Sequence, residues 1–488
     1  MSKTIFTPDQ IQKKMVTDNP WWTTRKIFDD FAELTPRMFL RPFMDLLTNL
    51  PKARSIILLG ARRVGKTVML FHSVRELVAA GVSERHILYM SVDTPLYGGL
   101  TLEEMLQHAL EAAKTTYSPT GEEFYVFFDE IQYMRDWEVQ LKVLCDTYRN
   151  IRFVASGSAA ASLKMKSMES GAGRFTHFEL PAVLFCEYLA MTGADNLVVR
   201  TNVDWFGERA TGYDCVDISR LNSCFADYIN YGGYPEVIAS RQLRNGLGRY
   251  IKEDIVDKML LRDLPGLYGI SDMRELYRLF IHIVYRSGEE FSYEDLSKES
   301  GIKKETLRRY ITYLESAFLI RILHKIDENA RRFQRVTTFK IYVTNPSVYA
   351  AVFGVPSDSD LTFTHLVETT LYIQNVGMTG DELFYANWKS GRKSGEVDLV
   401  KIGRFTQKPE RILEIKWSDK YYEKPALLKS LLTFMETNSL NRAVVTTRSA
   451  AGRKEMNGMT LQYVPSALFA YYSGMKYFDS VLRTAETE

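Results

Sequence analysis

Short, largely apolar runs punctuate the first 180 residues: Ile56–Leu59, His86–Val92, Phe124–Glu130, Ile151–Ser158 and Phe175–Leu180. Rows this short and this continuous suit strands buried on both faces of a parallel sheet. Between them the apolar positions fall at helical spacing. Thr67–Ala80 carries Met69, Leu70, Val74, Leu77 and Val78 and stops at Gly81, a good helix end. Thr101-Leu-Glu-Glu104 is a capping box that opens a helix to about Lys114. Residues before 50 read as a helical lead-in, with Asn19-Pro20-Trp21-Trp22 anchoring a segment onto the core.

Later the pattern changes. Residues 191–265 look helical with loops, and Tyr231-Gly-Gly-Tyr-Pro235 reads as a tight structural turn. Phe291–Leu314 has helix-turn-helix spacing: Leu296 on the first helix, Gly301 in the turn, and Leu307, Ile311 and Leu314 striping the second. Leu319–Leu323 and Phe339–Val343 are candidate wing strands. From about 346 the order becomes helix (around His365–Tyr372), hairpin (Leu383–Trp388 and Glu396–Lys401 about the basic turn Lys389–Gly395), strand Arg411–Trp417, helix Pro425–Glu436 and strand Ala443–Thr447.

The chemistry concentrates where the first strand meets its helix. Gly60-Ala61-Arg62-Arg63-Val64-Gly65-Lys66-Thr67-Val68 fits the G-x-x-x-x-G-K-[ST] template. Chance produces about 0.02 such matches in a chain this long, and the strand before and helix after are the context the motif needs, so a mere glycine turn is the weaker reading. Glycines at both ends let backbone N–H groups turn toward phosphate oxygens. The helix start adds unpaired N–H groups and the positive dipole end. Lys66 brings a charge for the outer phosphates of ATP, and Thr67 a hydroxyl for Mg²⁺. Asp129, ending an apolar strand, is the second expected Mg²⁺ ligand, and Glu130 the acid that orients or deprotonates water. Ser156 and Ser158, ending the next strand, are placed to feel the γ-phosphate.

Composition narrows the classes. Lys and Arg number 62 against 60 Asp and Glu, a net charge of +2, so any nucleic-acid binding must come from local patches. Residues 301–340 hold such a patch, ten Lys/Arg against four Asp/Glu; Lys303, Lys304, Arg308 and Arg309 would meet phosphates if this helix entered a groove, unless the module only packs domains. The four cysteines form no C-x-x-C pair, which argues against zinc and for a reducing, cytoplasmic setting. The start lacks a signal-peptide run, and no stretch of eighteen apolar residues suggests a membrane span.

Gly-Ala-Arg-Arg-Val-Gly-Lys-Thr, Phe-Phe-Asp-Glu-Ile-Gln and Ser-Gly-Ser, in this order, resemble the prokaryotic AAA-type ATPases joined to a restriction-endonuclease-like carboxyl-terminal domain. Asn-Pro-Trp-Trp, Tyr231-Gly-Gly-Tyr-Pro-Glu236 and Arg262-Asp-Leu-Pro265 match that pattern too. The resemblance implies an α/β chain of five parts: lead-in 1–50, AAA-type P-loop core 51–190, helical lid 191–265, winged-helix domain 266–345, and restriction-endonuclease-like α/β domain 346–488. It puts Ser156 or Ser158 at the sensor position and Arg174 where a finger would complete a neighbour's site, implying a homo-oligomer. In the last domain it implies a Mg²⁺ site of Glu368, Asp398 and Glu414, with Lys416 stabilising charge on the attacking water or the phosphorane. Read from the residues alone, Glu414-x-Lys416 on a half-exposed strand is usually an ordinary solvated face. The function expected is ATP hydrolysis coupled to action on DNA; the rival is a nucleotide-dependent switch that holds DNA or a partner protein without cutting.

Overall fold

The computed structural model of the chain describes residues 6–51, 54–157, 173–270, 272–330, 338–379, 383–390 and 393–486. It separates into two compact units, Met1–Pro181 with Ser316–Phe318, and Ala182–Glu315 with Leu319–Glu488.

The apolar runs of the first unit become five parallel strands: β1 (Ser55–Leu59), β2 (Ile87–Ser91), β3 (Phe124–Asp129), β4 (Ile151–Gly157) and β5 (Phe175–Glu179). Their order is β2-β3-β4-β1-β5, and β1 and β3 are buried along their whole length. Parallel registers such as Leu58–Ser156 and Phe127–Val154 bring the carboxyl ends of β1, β3 and β4 to one edge, where ligands of open α/β sheets bind.

The lead-in finishes the β2 edge. Asn19 donates to the carbonyl of Tyr89 at 2.9 Å and accepts from its N–H at 2.7 Å. Both indoles, Trp21 and Trp22, donate to the carbonyl of Ile87 at 2.9 Å. An edge strand with open backbone groups invites pairing with other chains, and here three side chains close it. The anchoring expected of the tryptophans thus comes with a hydrogen-bonding reason.

The second unit departs from the sequence reading at its start. Residues 191–265 are not all helix and loop: β6 (Val198–Trp205) and β7 (Glu208–Cys215) form an antiparallel hairpin. Phe206 and Gly207 both take positive φ, 55° and 88°, as a two-residue turn matched to strand twist demands. Val199, Thr201 and Val203 sit in a row that alternates with polar residues, a period-two signal the helical reading passed over.

A nine-stranded sheet runs through the rest. β8 (Glu290–Ser292), β9 (Ile320–Ile326), β10 (Thr338–Val343), β11 (Leu383–Ser390), β12 (Lys393–Ile402), β13 (Pro409–Glu414), β14 (Arg442–Thr447), β15 (Gly452–Met456) and β16 (Met459–Pro465) lie in the order β15-β16-β14-β13-β12-β11-β9-β10-β8. The helix pair Tyr293–Ser300 and Lys304–Ser316 turns at Gly301, φ 73°, as the spacing predicted. Its strands join the sheet through β9, which pairs parallel with β11 (His324–Phe384). The sheet therefore crosses position 345/346, where a domain boundary was expected. β15, β16 and the final helix Ser466–Glu486 were not read from the sequence. The strand expected over Arg411–Trp417 ends at Glu414: the N–H of Ile415 goes to the Asp398 carboxylate at 2.7 Å and that of Lys416 to the Thr446 hydroxyl at 2.9 Å, so side chains replace the ladder there.

Candidate functional site

The loop after β1 turns back sharply. Gly65 holds φ 97° and Arg63 φ 66°, and a Cβ on Gly60 would lie 2.4 Å from the Leu180 carbonyl; only glycine fits that approach. Val64 is buried, and its carbonyl accepts from Arg37 at 2.6 Å, while Arg37 also reaches the Pro181 carbonyl at 3.1 Å. Arg37 thus pins the loop from the lead-in. Ala61, Arg62 and Val68 are half-buried and Arg63 is exposed.

Lys66 opens the helix Lys66–Ala79 and is itself buried. Its ammonium donates to the carbonyls of Gly60 and Ala61, each at 3.0 Å. Burial pulls its pKa below the ordinary lysine value, against the raising pull of Glu130 and Asp129. A desolvated ammonium that hydrogen-bonds to two neutral carbonyls fits an anionic ligand.

Asp129 is 2% exposed and held on every side. The Thr67 hydroxyl donates to Oδ2 at 2.7 Å, the Tyr89 phenol to Oδ2 at 3.0 Å, the Glu130 N–H to Oδ1 at 3.1 Å, and the Ser156 hydroxyl to Oδ1. The two residues expected to share Mg²⁺, Thr67 and Asp129, are therefore side by side. Ser156, fully buried on β4 between them, orients that carboxylate. Ser158 lies outside the described residues, as does the short helix expected after it. Glu130 takes a left-handed backbone, φ 55°, uncommon for a residue with a Cβ. Its carboxyl is pushed up, mainly by burial, and Gln132 donates to it. Arg174 stands at the start of β5, at the opposite edge of the sheet, and pairs with Asp146 at 3.0 Å.

Sequence reasoning passed over Tyr89, Arg37 and Gln132. Tyr89 and Ser91 alternate on β2 beside Asp129, and Gln132 lies two residues past Glu130, so both carried a weak signal. Arg37 carried none, because nothing local ties position 37 to position 64.

The second unit brings together three of its four expected residues. Lys416 pairs with Glu414 at 2.8 Å and Asp398 at 3.1 Å. An extra residue in β12 between the Ala386–Val397 and Phe384–Val400 pairs makes a bulge at Asp398 and Leu399, a device that re-aims side chains. Asp398 is held below the ordinary carboxylate value: burial opposes this, but Lys416, Lys340 and the Ile415 N–H outweigh it. Glu414, buried beside Asp398, is raised to about 7, and its Oε2 has no hydrogen-bond partner. Glu368 is held by Lys340 at 2.9 Å and Tyr342 at 2.7 Å, and Lys340, which also acts on Asp398, pairs with Glu396 at 2.7 Å. Among the described residues no three His, Cys, Asp or Glu side chains gather as a metal site, so the expected trio of Glu368, Asp398 and Glu414 is not assembled.

Lys303, Lys304, Arg308 and Arg309 are exposed on and just before their helix. Lys304 pairs with Glu294, Arg308 lies 5.2 Å from the Tyr293 ring centroid, and Arg309 reaches the Tyr313 hydroxyl at 3.4 Å. Among the described residues no helix is long and apolar enough to cross a membrane.

A five-stranded parallel sheet with a glycine loop before a helix, and Thr67, Asp129 and Glu130 gathered at its carboxyl edge, defines the class of P-loop nucleotide-binding domains. The profile of the AAA domain family matches residues 52–189, and the chain carries an AAA-type P-loop domain there. A domain of unknown function, DUF8612, matches residues 222–359. An uncharacterized protein of Methanocaldococcus jannaschii is 26% identical over 300 residues, 58% of this chain and 60% of that one. One from Haemophilus influenzae is 22% identical over 295 residues, 59% and 67% of the two chains. A second M. jannaschii protein is 23% identical over 401 residues, 80% and 81%. Among solved structures, C. elegans PCH-2 aligns over 49% of this chain and 62% of its own at 9% identity and TM-score 0.25. AMPPCP-bound DnaA from Aquifex aeolicus aligns over 58% and 92% at 13% identity and TM-score 0.27.

Proposed function

We propose that the first unit binds ATP and hydrolyses it to ADP and phosphate. The observation that carries this is the joint placement of Lys66, Thr67, Asp129 and Glu130 at one sheet edge. In this reading the Lys66 ammonium leaves the Gly60 and Ala61 carbonyls for the outer phosphates. Thr67 and Asp129 would hold Mg²⁺, which neutralises charge on the phosphates. Glu130 orients a water and takes its proton as the water oxygen attacks the γ-phosphorus and the bond to the bridging oxygen breaks. The raised pKa of Glu130 suits a base that must pick up a proton. Titration of the full chain with ATP and Mg²⁺ by calorimetry, beside a phosphate-release assay, tests it. Binding heat that vanishes in Lys66→Ala is expected; no heat from wild-type protein would end the reading.

A second reading concerns the other cluster. The unpartnered Oε2 of Glu414, beside Asp398 and Lys416, is the observation favouring divalent-metal-dependent cleavage of phosphodiesters. Asp398 and Glu414 would hold the ion and Lys416 would stabilise developing charge. The restriction-endonuclease-like and winged-helix assignments belong to this reading, as does DNA as the partner, with Lys303, Lys304, Arg308 and Arg309 on its phosphates. Plasmid DNA with Mg²⁺ and ATP separates it from the rival, a switch that holds DNA or a partner protein uncut. Cleavage lost in Asp398→Ala supports it, whereas salt-sensitive binding without cleavage supports the switch. The finger role of Arg174 in a homo-oligomer predicts recovered activity when Arg174→Ala and Glu130→Gln subunits are mixed.

A further inference from the structure

Away from the Asp398–Glu414–Lys416 cluster, the second unit holds a cleft of about 440 Å³ that none of those three residues lines. Such a volume lies within the range of small-ligand pockets. Alternation along β13 turns Arg411 and Leu413 to the face opposite Glu414. The cleft's floor is apolar, Leu399, Leu413 and Val444 from three adjacent strands.

Two features of the wall point to a ligand. The first is aromatic: Trp205 and Phe206, at the tip of the β6–β7 hairpin, and Tyr472 of the last helix. Trp205 and Tyr472 lie against each other, centroids 5.9 Å apart at 29°, which braces both rings at the wall. The second is cationic: Lys401, Arg411, Arg442 and Lys476 line the cleft with one carboxylate, Glu410, and Arg442 also pairs with Glu208 at 3.4 Å from outside the lining. In a chain whose net charge is +2, four cations to one anion around one cavity is a local excess. The Arg442 guanidinium lies 5.4 Å from the Phe206 ring centroid, which joins the two features at one rim. An aromatic platform beside guanidinium groups is the pairing that holds a base by its face and a phosphate by its oxygens.

We infer that this cleft binds a single nucleotide, the base against Trp205 and Tyr472 and the phosphate against Arg411 and Arg442. Its volume takes one nucleotide unit and excludes a duplex. The same chemistry is offered by a free nucleoside monophosphate and by the phosphorylated end of a single strand. The inference does not rest on ATP hydrolysis in the first unit.

The test uses the full chain and two probes, thymidine 5′-monophosphate and a 5′-phosphorylated oligothymidylate, with binding read by calorimetry. Arg411→Glu, an exposed position, is expected to weaken binding by about tenfold or more, with an unchanged melting curve. Trp205→Ala should weaken it comparably, and Lys66→Ala should not change it. Preference for the mononucleotide assigns a small-molecule site, and preference for the oligonucleotide a strand end; either supports the cleft. Binding of neither probe at millimolar concentration overturns the inference. So does binding lost in Lys66→Ala but kept in Arg411→Glu, which would locate the nucleotide at the first unit's loop.

Discussion

At single residues, the two raised carboxyls make opposite kinds of statement. Glu130 is raised by burial beside a lysine, and in the hydrolysis reading its value lies in turnover. Glu130→Gln keeps the shape and the Gln132 contact but cannot take a proton. Nucleotide affinity should hold while the steady-state rate falls by about 10²-fold or more; an unchanged rate in a phosphate-release assay would remove Glu130 from the chemistry. Glu414 is raised to about 7 from an ordinary 4.5 by burial and the Asp398 charge. Between those values the folded chain keeps a proton that the unfolded chain has released. Stability therefore falls as pH rises from about 4.5 toward 7 and levels off above, on account of this group. In chelator, denaturant melts of Glu414→Gln should lose that part of the slope, and the variant should gain on the wild type at pH 8 relative to pH 5. A difference independent of pH would show that Glu414 titrates normally.

At the level of elements, the lead-in and β2 work as one. Asn19 gives and takes a hydrogen bond with Tyr89 in the manner of a neighbouring strand, and it is buried. Asn19→Ala leaves a buried N–H and a buried C=O of β2 without this partner, a cost of about 2 kcal/mol or more. Thermal melts should show the loss, with more aggregation on heating because the sheet edge is opened; an unchanged melting temperature would mean water replaces the amide. Legibility in the sequence follows the same lines. The five strands of the first sheet and the loop could be read because each depends on local pattern, and their ends moved by a residue or so. The Asp398–Lys416 meeting was implied by the resemblance and not by alternation, since the strand ends at Glu414 and a bulge re-aims Asp398. The β6–β7 hairpin was missed where polar residues diluted the alternation, and β15 and β16 where only pairing with β14 makes strands of them. The placement of Glu368 was unreadable, since its partner Lys340 comes from a distant strand and nothing near position 368 announces it.

For the whole molecule, the division into two units gives ligand binding a testable address. Each unit has its own sheet, and the β3–β4–β1 edge with its loop belongs entirely to the first. Each buries its own apolar core: Ile57, Leu58 and Phe127 in the first, and Val400, Leu431 and Phe434 in the second. A ligand that binds only the folded form stabilises the unit that holds it, by about 2.7 kcal/mol at a hundredfold excess over its Kd. ATP with Mg²⁺ should therefore raise the melting transition reported by the first unit, whose tryptophans Trp21, Trp22 and Trp137 are buried. Thymidine monophosphate should raise the transition of the second, reported by Trp205, Trp388 and Trp417. Hydrogen exchange read peptide by peptide assigns each shift without depending on fluorescence. Protection by ATP confined to residues 55–67, 87–91 and 124–132 is the expected pattern. Protection of β11–β14 by ATP with none over residues 55–67 would overturn the assignment of ATP to the loop before Lys66.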